Sequence, residues 1–200
     1  MIPNTLRLFF NEVIMNRYVK LLIAVLCIPL TACCFSGCGL FGQKPPSEDK
    51  IKAVFAENED AFKASAKYLL SFEEKFSNLD NVYITKPDEV TVYTRQPGTV
   101  YLDEQTVKPE GNAAEHISAL FDAGCKSIGM SGSANTNSNS PNSIYFRMWS
   151  ATVRDTDCGI AVSKDEGGTP KTEFMTRLSP ISDDGWYYYI SDYEDWREAQ

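Results

Sequence analysis

The sequence predicts an α+β fold, in which a long N-terminal helix and a second short helix pack on an antiparallel sheet of about five or six strands. Apolar residues recur at helical spacing after Ser47, and short segments rich in β-branched and aromatic residues fill most of the chain after Asn81. Of the 200 residues, 43% are apolar and 23% are charged, which is an ordinary globular composition. This length allows one domain with an extension.

The residues before Lys44 have the composition of an export signal. Arg17 and Lys20 precede a run from Leu21 to Gln43 that contains no charged side chain. A basic segment followed by an apolar stretch of about ten residues is typical of a secretory signal peptide, and such a stretch is too short to cross a bilayer. Met15 is an alternative start of the chain, because a normal basic segment begins there.

The apolar stretch ends on a motif that resembles the lipobox of bacterial lipoproteins. The motif is an aliphatic residue, two small residues and a cysteine: Leu30, Thr31, Ala32 and Cys33. The resemblance implies that the Cys33 thiol receives a diacylglycerol and that residues 1–32 are removed as a signal peptide. Cys38 is the alternative lipidation site, although Phe35 departs from the aliphatic preference. An uncleaved transmembrane anchor and cleavage by the general signal peptidase are the competing interpretations.

Cleavage before the lipobox cysteine makes the exported chain more acidic. It removes Arg7, Arg17, Lys20 and Glu12, so that 16 basic and 26 acidic side chains remain and the net charge changes from −8 to −10. A chain this acidic is a poor candidate for binding nucleic acid, because phosphate binding needs clustered basic groups. We expect contact with the membrane through the lipid anchor, and a domain on the extracytoplasmic side.

Residues 33–46 are expected to form a flexible tether, and residues 47–200 a single domain. Ser47 is the expected N-cap of a long amphipathic helix that continues to Phe76. The apolar stripe of this helix consists of Ile51, Val54, Phe55, Phe62, Ala66, Leu69, Leu70 and Phe76.

A hairpin and a second helix are expected next. Residues 82–85 and 90–93 have strand composition, with a turn at residues 86–88, and residues 99–102 are a candidate third strand. Asn112 with Glu115 resembles a capping box, and Gly124 is placed to end the short helix that follows.

The last third of the chain is expected to be an antiparallel meander. The expected strands are residues 144–153, 158–162, 174–178 and 186–190. This order of elements is similar to that of nuclear transport factor 2-like and cystatin-like domains, which implies an architecture but no function.

The sequence contains no motif with a recognised catalytic mechanism, phosphate-binding glycine loop or metal-ligand spacing. His116 is the only histidine, which excludes a histidine-rich metal site, and a structural or solvent-facing role is favoured over a catalytic base. We therefore predict no catalytic residue, no metal and no cofactor.

Two cysteines fall within the predicted domain, Cys125 and Cys158. Outside the cytoplasm they are candidates for a disulfide bond. Two buried thiols are the alternative interpretation.

The aromatic residues near the C-terminus suggest a binding surface. Tyr145, Trp149, Trp186 and Tyr188 are expected to share one face of the sheet, which would bind a glycan, a peptide or a protein partner if exposed. A helix that covers this face is the competing interpretation.

Together these patterns predict a membrane-anchored, extracytoplasmic lipoprotein that acts as a non-enzymatic binding or accessory module. The alternative is an extracytoplasmic enzyme that acts on cell-wall polymers. Such an enzyme would need convergent carboxylates, and the dense supply is Asp183, Asp184, Asp192, Glu194 and Asp195.

Overall fold

The computed structural model describes most of the chain after the predicted export segment. The described stretches are residues 44–135, 142–151, 155–171 and 174–199. The predicted signal peptide, the lipobox, Cys33, Cys38 and the tether as far as Gln43 lie outside these residues. In the described stretches no helix combines the length and apolar character needed to cross a membrane.

The described residues form four helices and eight strands. The helices are α1 (Glu48–Glu57), α2 (Glu59–Lys75), α3 (Asn112–Asp122) and α4 (Tyr193–Glu198). The strands are β1 (Leu79–Lys86), β2 (Glu89–Arg95), β3 (Leu102–Val107), β4 (Ser127–Ser131), β5 (Ser143–Ala151), β6 (Thr156–Ser163), β7 (Met175–Pro180) and β8 (Trp186–Asp192). All eight strands form one antiparallel sheet in the order β3-β2-β1-β4-β5-β6-β8-β7.

The predicted fold is wrong in the size of the sheet and in the first helix. The sheet has eight strands, not five or six. Strand β4 has no signature in the sequence because it is five residues long, buried throughout and interrupted by Gly129, so no alternation of apolar and polar residues is visible. It nevertheless lies at the centre of the sheet, between β1 and β5.

The expected single long helix is two helices that meet at Asn58. This residue leaves the helical conformation, with φ −129° and ψ 22°, and its amide Nδ2 donates to the carbonyl oxygen of Val54 at 2.9 Å. An asparagine side chain that bonds to the preceding turn competes with the helical backbone, so the helix ends there. Apolar spacing hides this break, because Phe55 and Phe62 lie seven residues apart, two turns of one helix.

Several local predictions are confirmed. Ser47 caps α1, since its hydroxyl accepts from the Lys50 amide at 3.4 Å. Strands β1 and β2 pair as the predicted hairpin, with Lys86 opposite Glu89 across a two-residue turn. Strand β3 instead begins at Leu102, where the predicted third strand ends.

The two ends of α3 have different outcomes. Gly111 is the N-cap and makes no side-chain capping bond, so the capping box predicted at Asn112 is wrong. Gly124 ends the helix as predicted, because it adopts a φ of 102° that side chains rarely tolerate. The Gly124 amide bonds to the Phe121 carbonyl and the Cys125 amide bonds to the Leu120 carbonyl, which is a Schellman motif.

Helices α1, α2 and α3 cover one face of the sheet. Trp186 of β8 contacts Phe55 of α1 and Phe62 of α2, with ring centroids 5.1 and 6.1 Å apart. Ile117 of α3 joins the same buried cluster. Strand residues that alternate along the sheet complete this cluster: Val82, Ile84, Val90, Val92, Ile128, Met130, Ile144, Phe146, Ile160 and Tyr188. The face of the sheet that points away from these helices is called the second face below.

A buried ion pair joins β1 to β2. The Asp80 side chain is 3% exposed, and the Arg95 guanidinium pairs with its carboxylate, with Nε 3.0 Å from Oδ1. The same Nε also donates to the carbonyl oxygen of Ala134 at 3.0 Å. Arg95 thus connects the β1–β2 hairpin to the segment that follows β4.

Replacing Arg95 by alanine should destabilise the protein strongly, because it leaves the Asp80 carboxylate buried without its counter-charge. We expect a loss of about 3–5 kcal/mol in the free energy of unfolding, measured by urea titration with tryptophan fluorescence. Lys86→Ala is the control, since it removes an exposed ion pair with Glu89 and should change stability little. An Arg95→Ala variant as stable as the unmodified protein would contradict this role.

Candidate functional site

The four residues predicted to form an aromatic face do not share an exposed surface. Trp186 and Tyr188 lie on the helix-covered face of β8 and are only 4% and 2% exposed. Trp186 is enclosed by Phe55, Phe62 and Phe146, whose ring centroids lie 5.1 to 6.1 Å away. The structure therefore assigns both residues to the core, which corresponds to the competing interpretation for this strand.

Tyr145 and Trp149 belong to opposite sides of the sheet. Simple alternation along β5 would place both side chains on one face. A β-bulge after Arg147 changes this, because Met148 and Trp149 together oppose Cys158 of β6. Trp149 therefore packs against the core with Met148, while Tyr145 stays outside the core cluster. The predicted face of Tyr145, Trp149, Trp186 and Tyr188 is wrong for this reason.

The second face carries a different set of aromatic and charged side chains. Their positions follow from register, since residues that alternate with the core positions point to the other side of the sheet. Tyr93 of β2 and Tyr83 of β1 are in contact, with ring centroids 6.0 Å apart and planes at 73°. We call this surface the tyrosine face, and it consists of Tyr83, Tyr93, Tyr145, Arg147, Asp157 and Tyr189.

Gly129 lets the tyrosine face continue across β4. It pairs with Tyr83 of β1 on one side and with Tyr145 of β5 on the other. A Cβ atom at Gly129 would lie 2.3 Å from both Cζ and Oη of Tyr145, so the phenol ring occupies the space above the glycine. A glycine at the centre of β4 is therefore required for the close approach of Tyr145.

An ion pair and a buried phenol continue the tyrosine face onto β6 and β8. Nε of Arg147 lies 3.3 Å from Oδ2 of Asp157, within ion-pair distance but without the alignment of a hydrogen bond. Tyr189, opposite Gly159 on β8, is 1% exposed, and the neighbouring Asp157 and Arg147 charges act on the pKa of its hydroxyl. Among the described residues, Nε of Arg147 and Oδ1 of Asp157 are buried with no hydrogen-bond partner.

Burial sets the protonation of this cluster. It raises the pKa of Tyr145 and of Tyr189 above the ordinary value, and the neighbouring Asp157 charge raises that of Tyr189 further. Burial also raises the pKa of Asp157, against the opposing effect of Arg147. Both phenols are consequently neutral hydrogen-bonding groups at neutral pH.

The acidic residues considered for catalysis do not converge. Asp184 lies in the turn before β8 and pairs with Nζ of Lys63 at 2.7 Å. Asp192 lies at the other end of β8, where it caps α4 and accepts from Thr156 Oγ1 at 2.8 Å. The seven residues of β8 separate the two ends by about 23 Å.

His116 lies at an open depression beside the α1–α2 junction. The depression is lined by residues of that junction and by the histidine: Ala56, Glu57, Asn58, Glu59, Asp60, Ala61 and His116. In the part of the chain that the structure describes, no group of three or more His, Cys, Asp or Glu side chains is arranged to hold a metal ion.

Cys125 and Cys158 are both buried free thiols, so the predicted disulfide is not formed. Cys125 precedes β4, and its Sγ donates to the carbonyl oxygen of Arg147 in β5 at 3.5 Å. Cys158 is in β6, on the far side of β5. Residues two strands apart have Cα atoms about 9–10 Å from each other. This exceeds the Cα–Cα separation of about 7 Å that a disulfide can bridge.

Part of the tyrosine face could have been found in the sequence. Val82 and Ile84 alternate with Tyr83, as Val90 and Val92 alternate with Thr91 and Tyr93, which places both tyrosines on the polar side of a hairpin. The contact with Tyr145 has no such signal, because it depends on the unrecognised strand β4.

Comparison with known proteins identifies no relative. No family model, curated protein or solved structure matches the chain.

Both domain thiols should be unreactive in the folded protein and reactive after denaturation. Burial raises the pKa of Cys125 and Cys158 to about 12, so little thiolate forms at pH 8. Alkylation without reductant, followed by peptide mass mapping, should label both peptides only after denaturation. The unfolded thiols ionise near pH 9, so their contribution to stability should be lost as the pH rises from 9 to 12. A disulfide-linked pair of peptides would contradict this prediction.

Proposed function

We propose that this chain is a lipid-anchored, extracytoplasmic binding module without enzymatic activity, and that the tyrosine face is its contact surface. The anchoring part of the proposal rests on the sequence. Arg17 and Lys20, the uncharged run after them and the lipobox ending at Cys33 follow the order of a lipoprotein signal. The acidic exported chain favours attachment by lipid over attachment by charge.

The binding part of the proposal is carried by one observation. The tyrosine face carries aromatic rings and an ion pair on the side of the sheet that the described helices α1–α3 do not cover. Tyr83, Tyr93 and Tyr145 lie outside the core cluster and are partly exposed. A partly exposed tyrosine offers apolar area and a hydrogen-bonding hydroxyl together, which suits a contact surface.

The alternative function, an enzyme acting on cell-wall polymers, has less support. Paired carboxylates that share a substrate must lie within about 10 Å of each other. Asp184 and Asp192 lie at opposite ends of β8, and both carboxylates are engaged in local bonds. The Asp157 carboxyl is paired with Arg147 instead of with a second acid.

Lipidation should depend on Cys33. In a bacterial host that expresses the full chain and is fed labelled palmitate, the Cys33→Ala variant should lose the label and accumulate as an uncleaved precursor. Cys38→Ala is the matched control and should be labelled normally, and globomycin should block processing of the unmodified chain. Label that survives in Cys33→Ala and disappears in Cys38→Ala would show that Cys38 is the lipidated residue. An unmodified chain that takes up no label would contradict the anchor.

Binding should depend on the exposed rings of the tyrosine face. The full chain, purified in detergent micelles, should co-sediment with delipidated cell envelope, and Tyr83→Ala with Tyr93→Ala should weaken retention about tenfold or more. Each ring contributes about 0.5–1.5 kcal/mol, and 1.4 kcal/mol corresponds to tenfold.

Tyr101→Ala is the control for this experiment. It removes a tyrosine that is 70% exposed in the β2–β3 loop and lies outside the tyrosine face. All variants should keep the circular dichroism spectrum of the unmodified protein. Equal retention of the double variant and the unmodified chain would contradict the binding role of this face.

A further inference from the structure

The tyrosine face extends across the strands instead of along one of them. Tyr93, Tyr83 and Tyr145 belong to β2, β1 and β5. Strand β4 lies between β1 and β5, and Gly129 is its residue between Tyr83 and Tyr145. Three inter-strand spacings correspond to about 14 Å. Tyr189 on β8 is 1% exposed, so it supports this surface from within and is not part of the area that a ligand can reach. A surface of this shape fits an extended ligand that crosses the strands better than a small compact one.

The polar groups of this face are balanced in charge. The Arg147 guanidinium is paired with the Asp157 carboxylate, and both are partly buried, with side chains 37% and 22% exposed. The phenols beside them are neutral. A polyanion would gain little from a neutralised arginine on a chain of net charge −8, and a polycation would meet the same arginine.

Hydrogen-bond capacity at the ion pair indicates hydroxyl groups as partners. Nε of Arg147 and Oδ1 of Asp157 are buried without a hydrogen-bond partner, within the described part of the chain. The two side chains are partly exposed, so both atoms reach a ligand only when the side chains turn outward and the ion pair opens. A hydroxyl group both donates and accepts, so adjacent hydroxyls can then satisfy both atoms. The flat face of a sugar ring also packs on a tyrosine ring, which supplies the apolar part of the contact.

We infer that the ligand of the tyrosine face is a neutral, hydroxyl-rich glycan chain that lies across β2, β1, β4 and β5 and reaches the Arg147–Asp157 pair. This inference rests on the proposed binding function and adds the chemical class of its ligand. Tyr83 and Tyr93 stack against the sugar rings. Arg147 and Asp157 bind their hydroxyls.

Enzymatic digestion of the envelope separates this inference from the proposed function. One portion of delipidated envelope is treated with proteinase and another with a mixture of glycoside hydrolases, and each is then incubated with the full chain in detergent micelles. Retention should survive the proteinase and be lost after the hydrolases. If retention is lost after the proteinase, or survives the hydrolases, the ligand is not a glycan. The proposed binding function would still stand in that case. Retention that never depends on Tyr83 and Tyr93 would instead overturn the proposed function.

Salt and a conservative variant test the neutral character of the ligand. Retention should change less than twofold between low salt and 1 M NaCl, where charges are screened within about 3 Å. Arg147→Lys keeps the charge but loses the planar donor fork, and should weaken retention at least fivefold. Tyr101→Ala should be retained like the unmodified chain. A steep fall with salt, or full retention of Arg147→Lys, would overturn the assignment of a neutral, hydroxyl-bonded ligand.

Discussion

Packing of α1 and α2 against β8 decides which side of this sheet is available for contact. Phe55 and Phe62 both meet the Trp186 ring, and Phe146 of β5 completes the group. This cluster of four large rings buries much apolar area and holds the helices over the strands at the β5–β6–β8 part of the sheet. Since strand side chains alternate, every residue committed to this core leaves its neighbours on the second face.

The second face uses those remaining positions in an unusual way. A polar face on an antiparallel sheet needs only small or charged residues, yet this one carries tyrosines on β2, β1, β5 and β8. Gly129 is the residue that connects them, because its missing side chain gives the Tyr145 ring a place to lie across β4. The core and the proposed contact surface thus depend on the same central strand.

Two ion pairs in this protein illustrate different uses of buried charge. Asp80 is almost fully buried, and Arg95 and the neighbouring Asn81 amide both satisfy its carboxylate. Such a pair holds backbone segments in place, because breaking it leaves a charged group buried without its counter-charge. The Arg147 and Asp157 side chains are partly exposed, but among the described residues Nε of Arg147 and Oδ1 of Asp157 are buried without a hydrogen-bond partner. Such an arrangement lowers stability unless another group completes it.

The sequence by itself determined the order of most elements, the cap at Ser47, the β1–β2 hairpin and the end of α3 at Gly124, because each depends on residues close along the chain. It also carries the motif ending at Cys33 that resembles a lipobox, whose four residues are adjacent in the chain. The helix break at Asn58 depends on a local side-chain bond to Val54, which the apolar spacing hides. The central strand β4, the bulge after Arg147 and the separation of Cys125 from Cys158 were decided only by tertiary structure. Strand pairing, register and the side of the sheet to which a ring points depend on residues far apart in the chain, and a single bulge moved Trp149 into the core while Tyr145 remained on the tyrosine face.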